Sequence, residues 1–152
     1  MFRGISSAKL DAKGRMALPV RLRGPVDVRC EGKLVLTIDM RERCLLLYPL
    51  PEWEIVQRKL EGLPNINPDA RLLQRLLIGH ATDIELDANS RLLIPPKLRE
   101  FAGLQKTLIL AGQGNKLEIW AEESWNGGVD DWLDQARSRL ATDGDAFTGL
   151  SV

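Results

Sequence analysis

The stretch LDAKGRMALPVRLR at 10–23 returns as LDANSRLLIPPKLR at 86–99, with Leu, Asp, Ala, Arg, Pro, Leu and Arg each repeated at an offset of 76 residues. A block that recurs at one constant spacing marks a duplicated structural unit. Downstream the correspondence continues at a smaller offset: residues 33–39 answer 106–112, residues 46–48 answer 118–120, and Trp53 answers Trp125. Insertions between the copies therefore fall in the connecting segments. Both copies read alike in coarse structure. Segments 5–10 and 81–86 have strand character and end in a polar loop that holds the Asp and the Arg. A short apolar strand follows at 16–18 and 92–94, so each Asp-x-x-x-Arg sits on a hairpin-like turn.

Prolines punctuate what comes next. Pro19 and the Pro95-Pro96 pair end the short strands, and Pro96 suits the first turn of a helix running through Phe101, with Gly103 as its left-handed cap. Two β-rich pairs follow, 34–39 with 44–48 and 107–111 with 117–120. Residues 51–60 carry Trp53, Val56 and Leu60 at helical spacing with Gly62 as a stop, and residues 69–79 carry Leu72, Leu73, Leu76 and Leu77 on one face. A third helix is expected from Trp125 to about Leu140, although Gly127-Gly128 weakens its start by about 1 kcal/mol per glycine relative to alanine. The expected fold class is mixed α+β and β-rich. Its parts are a first module with its helix at 1–62, a connecting helix at 63–80, a second module with a C-terminal helix at 81–140, and a loose tail at 141–152.

Composition narrows the functional classes. The chain has 152 residues, 44% of them apolar, enough for one ordinary domain or two small modules sharing a core. Apolar runs such as LLLY at 45–48 fall far short of the roughly 20 residues that cross a bilayer, and no signal-like pattern follows Met1, so a cytoplasmic protein without a membrane partner is expected. Cys30 and Cys44 form no C-x-x-C pair, and two thiols beside the single His80 do not fill a zinc site; both read as buried core residues, with a redox pair the lesser reading. No metal or other cofactor is expected. His80 follows Gly79 at a helix end, where capping or packing is its natural role, and no nucleophile motif or phosphate-cradling Gly-Lys-Ser/Thr accompanies it. An enzyme is not expected.

Lys plus Arg and Asp plus Glu balance at 21 each, so total charge says nothing of nucleic acid. Its distribution does. Up to Gly32 seven basic residues (Arg3, Lys9, Lys13, Arg15, Arg21, Arg23, Arg29) face three acidic ones (Asp11, Asp27, Glu31), whereas from Glu118 onward acidic residues dominate. The N-terminal part is the candidate phosphate-facing surface. In the first loop Asp11 and Gly14 suit a tight turn, Asp11 can hold Arg15 in one direction, and Lys13 adds charge at the tip. A guanidinium held out from a rigid sheet end can fork onto phosphate or guanine. Candidate DNA-contacting residues are Arg15, Lys13, Gly14, Arg3, Lys9 and Asp11. Asp87 and Arg91 of the second loop are either DNA contacts or structural, because Asn89 and Ser90 replace Lys13 and Gly14 there, with Asp83 and Glu85 nearby. An internal salt bridge closing a turn is the simpler reading of either loop alone.

MFRG at the start, LDAKGR with Pro19, LLLYPLPEW at 45–53, RLLIGHA at 75–81, LDANSRLLIP at 86–95 and NKLEIW with Trp125 together resemble the MraZ family, within the wider AbrB/SpoVT group of swapped-hairpin β-barrels. The resemblance runs from Met1 to about Trp125. It implies that two AbrB-like modules of one chain interlace hairpins into a barrel with peripheral helices. It further implies a sequence-specific DNA-binding transcriptional regulator, associated with the nucleoid. Such a regulator represses its own division and cell-wall operon by binding short repeated motifs upstream, as a homo-oligomeric ring. The family's Asp-x-x-x-Arg residues correspond to Asp11 and Arg15, and to Asp87 and Arg91; Ser90 departs from the glycine common in the second loop. The alternative is a non-catalytic protein-binding module, antitoxin-like or an assembly scaffold.

Overall fold

Each copy folds as two strands, a helix, two further strands and a second helix. In the first copy these are β1 (Ile5–Lys9), β2 (Arg15–Ala17), α1 (Val20–Cys30), β3 (Lys33–Ile38), β4 (Leu45–Pro49) and α2 (Leu50–Glu61). In the second they are β5 (Thr82–Glu85), β6 (Arg91–Leu93), α4 (Pro96–Phe101), β7 (Thr107–Gly112), β8 (Leu117–Ala121) and α5 (Glu122–Thr142). Between the copies lies α3 (Pro68–Leu73), which widens into a π-helical turn over Gln74–Ile78. The computed structural model describes residues 2–142, with side chains through 140. It divides into two compact units, Met1–Glu122 and Glu123–Val152.

The halves of the first unit are interleaved. A six-stranded antiparallel sheet has the order β1-β7-β8-β4-β3-β5, so β1 of the first copy pairs with β7 of the second, and β5 of the second pairs with β3 of the first. β1 and β5 are the sheet's edges, and β2 and β6 form a separate two-stranded antiparallel ribbon. The fold is mixed α+β, sheet-rich and built of two related modules.

Alternation along the strands sets two cores. Leu34, Leu36, Leu45, Leu47, Leu108, Leu110, Leu117 and Ile119 line one face of the sheet. Met16, Leu18, Leu92 and Ile94 of the ribbon segments, Leu22 and Val26 of α1, and Leu98 of α4 belong to the same buried cluster. On the other face Val35, Leu46 and Tyr48 pack with Trp53 and Leu60 of α2 and with Leu73 and Leu77. Strand β4 is buried on both sides, which is why LLLY reads as a continuous apolar run. Both cysteines are buried, as expected, and burial raises both thiols above their ordinary range.

Two features depart from the sequence reading. Residues 20–30 form helix α1 although Gly24-Pro25 stands inside it, where proline costs a helix roughly 3 kcal/mol or more. Leu22, Val26 and Cys30, one turn apart, are all buried, and that burial offsets the defect. The repeat register after the first helix also shifts. Lys33 faces Glu85 in the register where Thr107 faces Lys9, so 33 answers 107, and Leu34 and Leu36 answer Leu108 and Leu110. Matching 33 with 106 would exchange inner for outer faces.

Helix α5 begins at Glu122, the last residue of the first unit and three residues before Trp125, and runs to Thr142. Of the tail expected at 141–152, residues 141–142 end this helix and 143–152 lie outside the described residues. Gly128 has a specific use. A Cβ there would lie 2.4 Å from the Trp132 ring, which stands edge-on to Trp125 at 5.2 Å between centroids.

Candidate nucleic-acid interface

Each Asp-x-x-x-Arg loop is closed by its own aspartate. Asp11 Oδ1 accepts from the backbone N–H of Lys13 and of Arg15, both at 2.9 Å, and Oδ2 accepts from Arg15 Nε at 3.3 Å. Backbone bonds from Asp11 N to Arg15 O and from Gly14 N to Asp11 O complete the turn. Asp87 repeats the pattern: N–H of Asn89 at 2.8 Å, N–H of Arg91 at 2.9 Å and Arg91 Nε at 3.1 Å. Chief among the causes that hold the Asp11 carboxyl below its ordinary range is the backbone N–H of Arg15. Desolvation opposes it, and the Lys13 N–H and the Arg15 guanidinium add to the lowering. Asp87 is lowered in the same way, first by the Arg91 N–H. Gly14 has φ +86°, and Ser90 takes the equivalent left-handed conformation at φ +56°. The departure from glycine therefore leaves the second loop's shape unchanged.

The loops also brace each other. Gly14 O accepts from Ile94 N, and Ser90 O accepts from Leu18 N, each at 2.9 Å, so each turn is tied to the strand of the other copy. In the ribbon Arg15 faces Leu93 and Ala17 faces Arg91, whereas Met16 and Leu92 point into the core. Arg15, Ala17, Arg91 and Leu93 therefore share the outer face. Strand spacing puts the two arginine Cα atoms about 8 Å apart on a diagonal. Both arginine side chains remain about one-third exposed despite their aspartate partners.

The surroundings of the two loops differ in charge. At the first, exposed Lys13 stands at the tip, Lys9 Nζ donates to Thr107 Oγ1 at 3.0 Å, and Lys106 joins through its carbonyl, which accepts from Leu10 N at 2.9 Å. The Arg99 guanidinium lies against Gly14, where a Cβ would come within 2.6 Å of Arg99 Cζ. At the second loop Glu85 stands where Lys9 stands in the first, Asn89 replaces Lys13, and Gly32, whose carbonyl accepts from Leu86 N, takes the place of Lys106. Positive charge therefore concentrates on the first loop.

Of the residues singled out from the sequence, Lys9, Asp11, Lys13, Gly14 and Arg15 are brought together, and Asp87 and Arg91 stand beside them on the ribbon. Arg3 is not with them. It sits at the opposite end of β1, where Phe2 bridges Gly114 and the Arg3 carbonyl accepts from Arg21 at 2.8 Å, roughly 20–25 Å from the loop along the strand. Arg99 and Lys106 were not singled out. Arg99 carried a signal as the last residue of the repeated block, whereas Lys106 reaches the loop by a pairing between residues far apart in the chain, Leu10 and Lys106. His80 is exposed, and its Nδ1 lies 2.7 Å from the Leu76 carbonyl, a helix-end contact. Among the described residues no cluster of three His, Cys, Asp or Glu side chains could hold a metal, and no helix is long and apolar enough to cross a membrane.

Comparison with known proteins agrees with this duplication. The sequence profile of the MraZ protein family matches twice, over residues 1–76 and 77–142. The chain is 54% identical over 136 residues to a transcriptional regulator MraZ of Halorhodospira halophila, with 90% of each chain covered. It is 53% identical over 133 residues to that of Coxiella burnetii, covering 88% of each. Against that of a Marinomonas species it is 56% identical over 135 residues, covering 89% of each.

Proposed function

Because the chain belongs to the MraZ family, whose relatives are named transcriptional regulators, we propose that it is a transcriptional regulator that binds double-stranded DNA through the β2–β6 ribbon and the first Asp-x-x-x-Arg loop. One observation carries this reading: a two-stranded antiparallel ribbon presents two arginines on its outer face, each aimed by an aspartate. The major groove, about 12 Å wide, admits such a ribbon, and arginine is the commonest reader of guanine O6 and N7.

On this reading each residue of the rim has a role. Arg15 is the principal base or phosphate contact, Asp11 positions it, and Lys13 and Lys9 neutralise phosphates. Gly14 lets the backbone and the Arg99 guanidinium pack closely beneath. Arg91 is a second contact in a less positive setting. Arg3, at the far end of β1, does not share this rim. The exchange of β1 and β5 between halves supports reading the fold as the intrachain swapped-hairpin barrel of AbrB-like proteins, with β2–β6 across its mouth. With no excess of positive charge overall, affinity comes from several weak contacts joined in a homo-oligomeric ring on short repeated motifs. The target is the chain's own upstream region at the head of a division and cell-wall operon, which it represses in the cytoplasm at the nucleoid.

The test is fluorescence anisotropy with an upstream duplex across a salt series. Arg15→Ala is expected to weaken binding about tenfold or more while fold and oligomer persist, and to reduce the salt slope by about 1 if the lost contact is to phosphate. Unaltered affinity in that variant rejects the assignment. No binding by the native protein at micromolar concentration and physiological salt favours the protein-binding alternative.

A further inference from the structure

The outer face of the ribbon carries an apolar side chain that neither loop explains. Leu93 is 53% exposed, lies directly across from Arg15, and stands on the same face as Arg91 two residues earlier. Its counterpart in the first copy, at the repeat offset of 76, is Ala17, which faces Arg91. The ribbon is therefore asymmetric: one arginine stands beside a large hydrocarbon group, the other beside a methyl.

We infer that Leu93 is a specificity-determining residue that packs on the 5-methyl group of a thymine in the major groove; this rests on the DNA-binding reading above. The occupant is identified by its surroundings. A leucine flanked by two guanidiniums is a poor seat for another apolar protein surface, because burying it would desolvate both cations. A duplex meets both needs, with phosphate and guanine acceptors for the arginines and, among its base edges in the major groove, the thymine methyl as the apolar feature. Reach agrees too. Directly opposed residues in an antiparallel pair have Cβ atoms about 5 Å apart, and neighbouring base pairs are about 3.4 Å apart, so a methyl next to the base read by Arg15 falls under Leu93. Ala17 is too short to cover a methyl at the same depth, so the Arg91 side discriminates less.

The test uses duplexes selected by the native full-length protein from a random pool, then synthesised with thymidine or with deoxyuridine, which lacks only the methyl. The native protein is expected to bind the thymidine duplex about fourfold more tightly for each methyl contacted, the ratio that burying one such group gives. Leu93→Ala is expected to bind both duplexes alike, with affinity near that of the native protein for the deoxyuridine duplex, and to keep its native melting temperature because the side chain is half in solvent. A selected consensus without thymine, equal binding of both duplexes by the native protein, or discrimination retained in Leu93→Ala overturns the inference while leaving DNA binding intact. Failure of the native protein to select any duplex overturns both.

Discussion

Gly14 and Ser90 occupy equivalent places in two loops of the same shape, so exchanging their residue types measures what the left-handed turn costs. Gly14→Ser puts a Cβ on a residue at φ +86°. For an L-residue that conformation costs roughly 1–2 kcal/mol, against which the stiffer unfolded chain returns about 0.4–1 kcal/mol. The new Cβ would also sit 2.6 Å from Arg99 Cζ and 2.8 Å from Arg99 Nη1, so the guanidinium has to swing away. Arg99 Nε, 2.9 Å from the added Cβ, is buried without a hydrogen-bond partner, so moving it breaks no hydrogen bond of that nitrogen but does disturb its packing. The net expectation is a loss of about 1 kcal/mol, and roughly 2 if Arg99 is held by its neighbours. Ser90→Gly reverses the argument at φ +56° and is expected to gain between 0 and about 1 kcal/mol. Urea unfolding at one fixed protein concentration reads both, the fixed concentration removing any contribution from assembly. Gly14→Ser as stable as the native chain, or Ser90→Gly less stable by more than about 0.5 kcal/mol, would refute the claim that backbone conformation decides these two positions. Gly14→Ser is also expected to weaken DNA binding more than Ser90→Gly does, since only the former displaces a cation from the basic loop.

Asp11 should titrate below its ordinary value of 3.8, as measured by carboxyl carbon shifts against pH, and Arg15→Ala should leave most of that depression. The backbone N–H of residue 15, its largest cause, survives the truncation, and full return to 3.8 would show that the guanidinium dominates. Since the folded value is depressed, the loop's contribution to stability is complete above 3.8 and is lost as pH falls through the lowered value. Thr37→Val should cost about 1–3 kcal/mol in urea unfolding: Thr37 is fully buried, and its Oγ1 donates at 2.7 Å to the Leu77 carbonyl in the π-helical turn. A loss below about 0.3 kcal/mol would mean that this carbonyl has another partner.

Much of the interface was legible because it is local. Asp11 and Arg15 are four residues apart, and the hydrogen bonds that close their loop lie within those five residues, so residue types at fixed spacing carry the information. The same holds for Pro96 at the start of α4 and Gly103 beyond its end. Helix α1 was not legible. Locally Gly24-Pro25 argues against a helix, and the term that overrides it is burial of Leu22, Val26 and Cys30 against strands far away in the sequence.

From residue order alone came the duplication, the position of both arginine loops and their unequal charge, all of which depend on residue identity over short spans. Tertiary structure decided the rest. It placed β1 beside β7 and β5 beside β3, set the register that makes Leu34 equivalent to Leu108, brought Lys106 and Arg99 to the first loop, and put Leu93 across from Arg15. The physical reason is that strand pairing satisfies backbone groups that are nearly identical along the chain, so local sequence does not name the partner. That choice is made by which pairing buries both apolar faces at once.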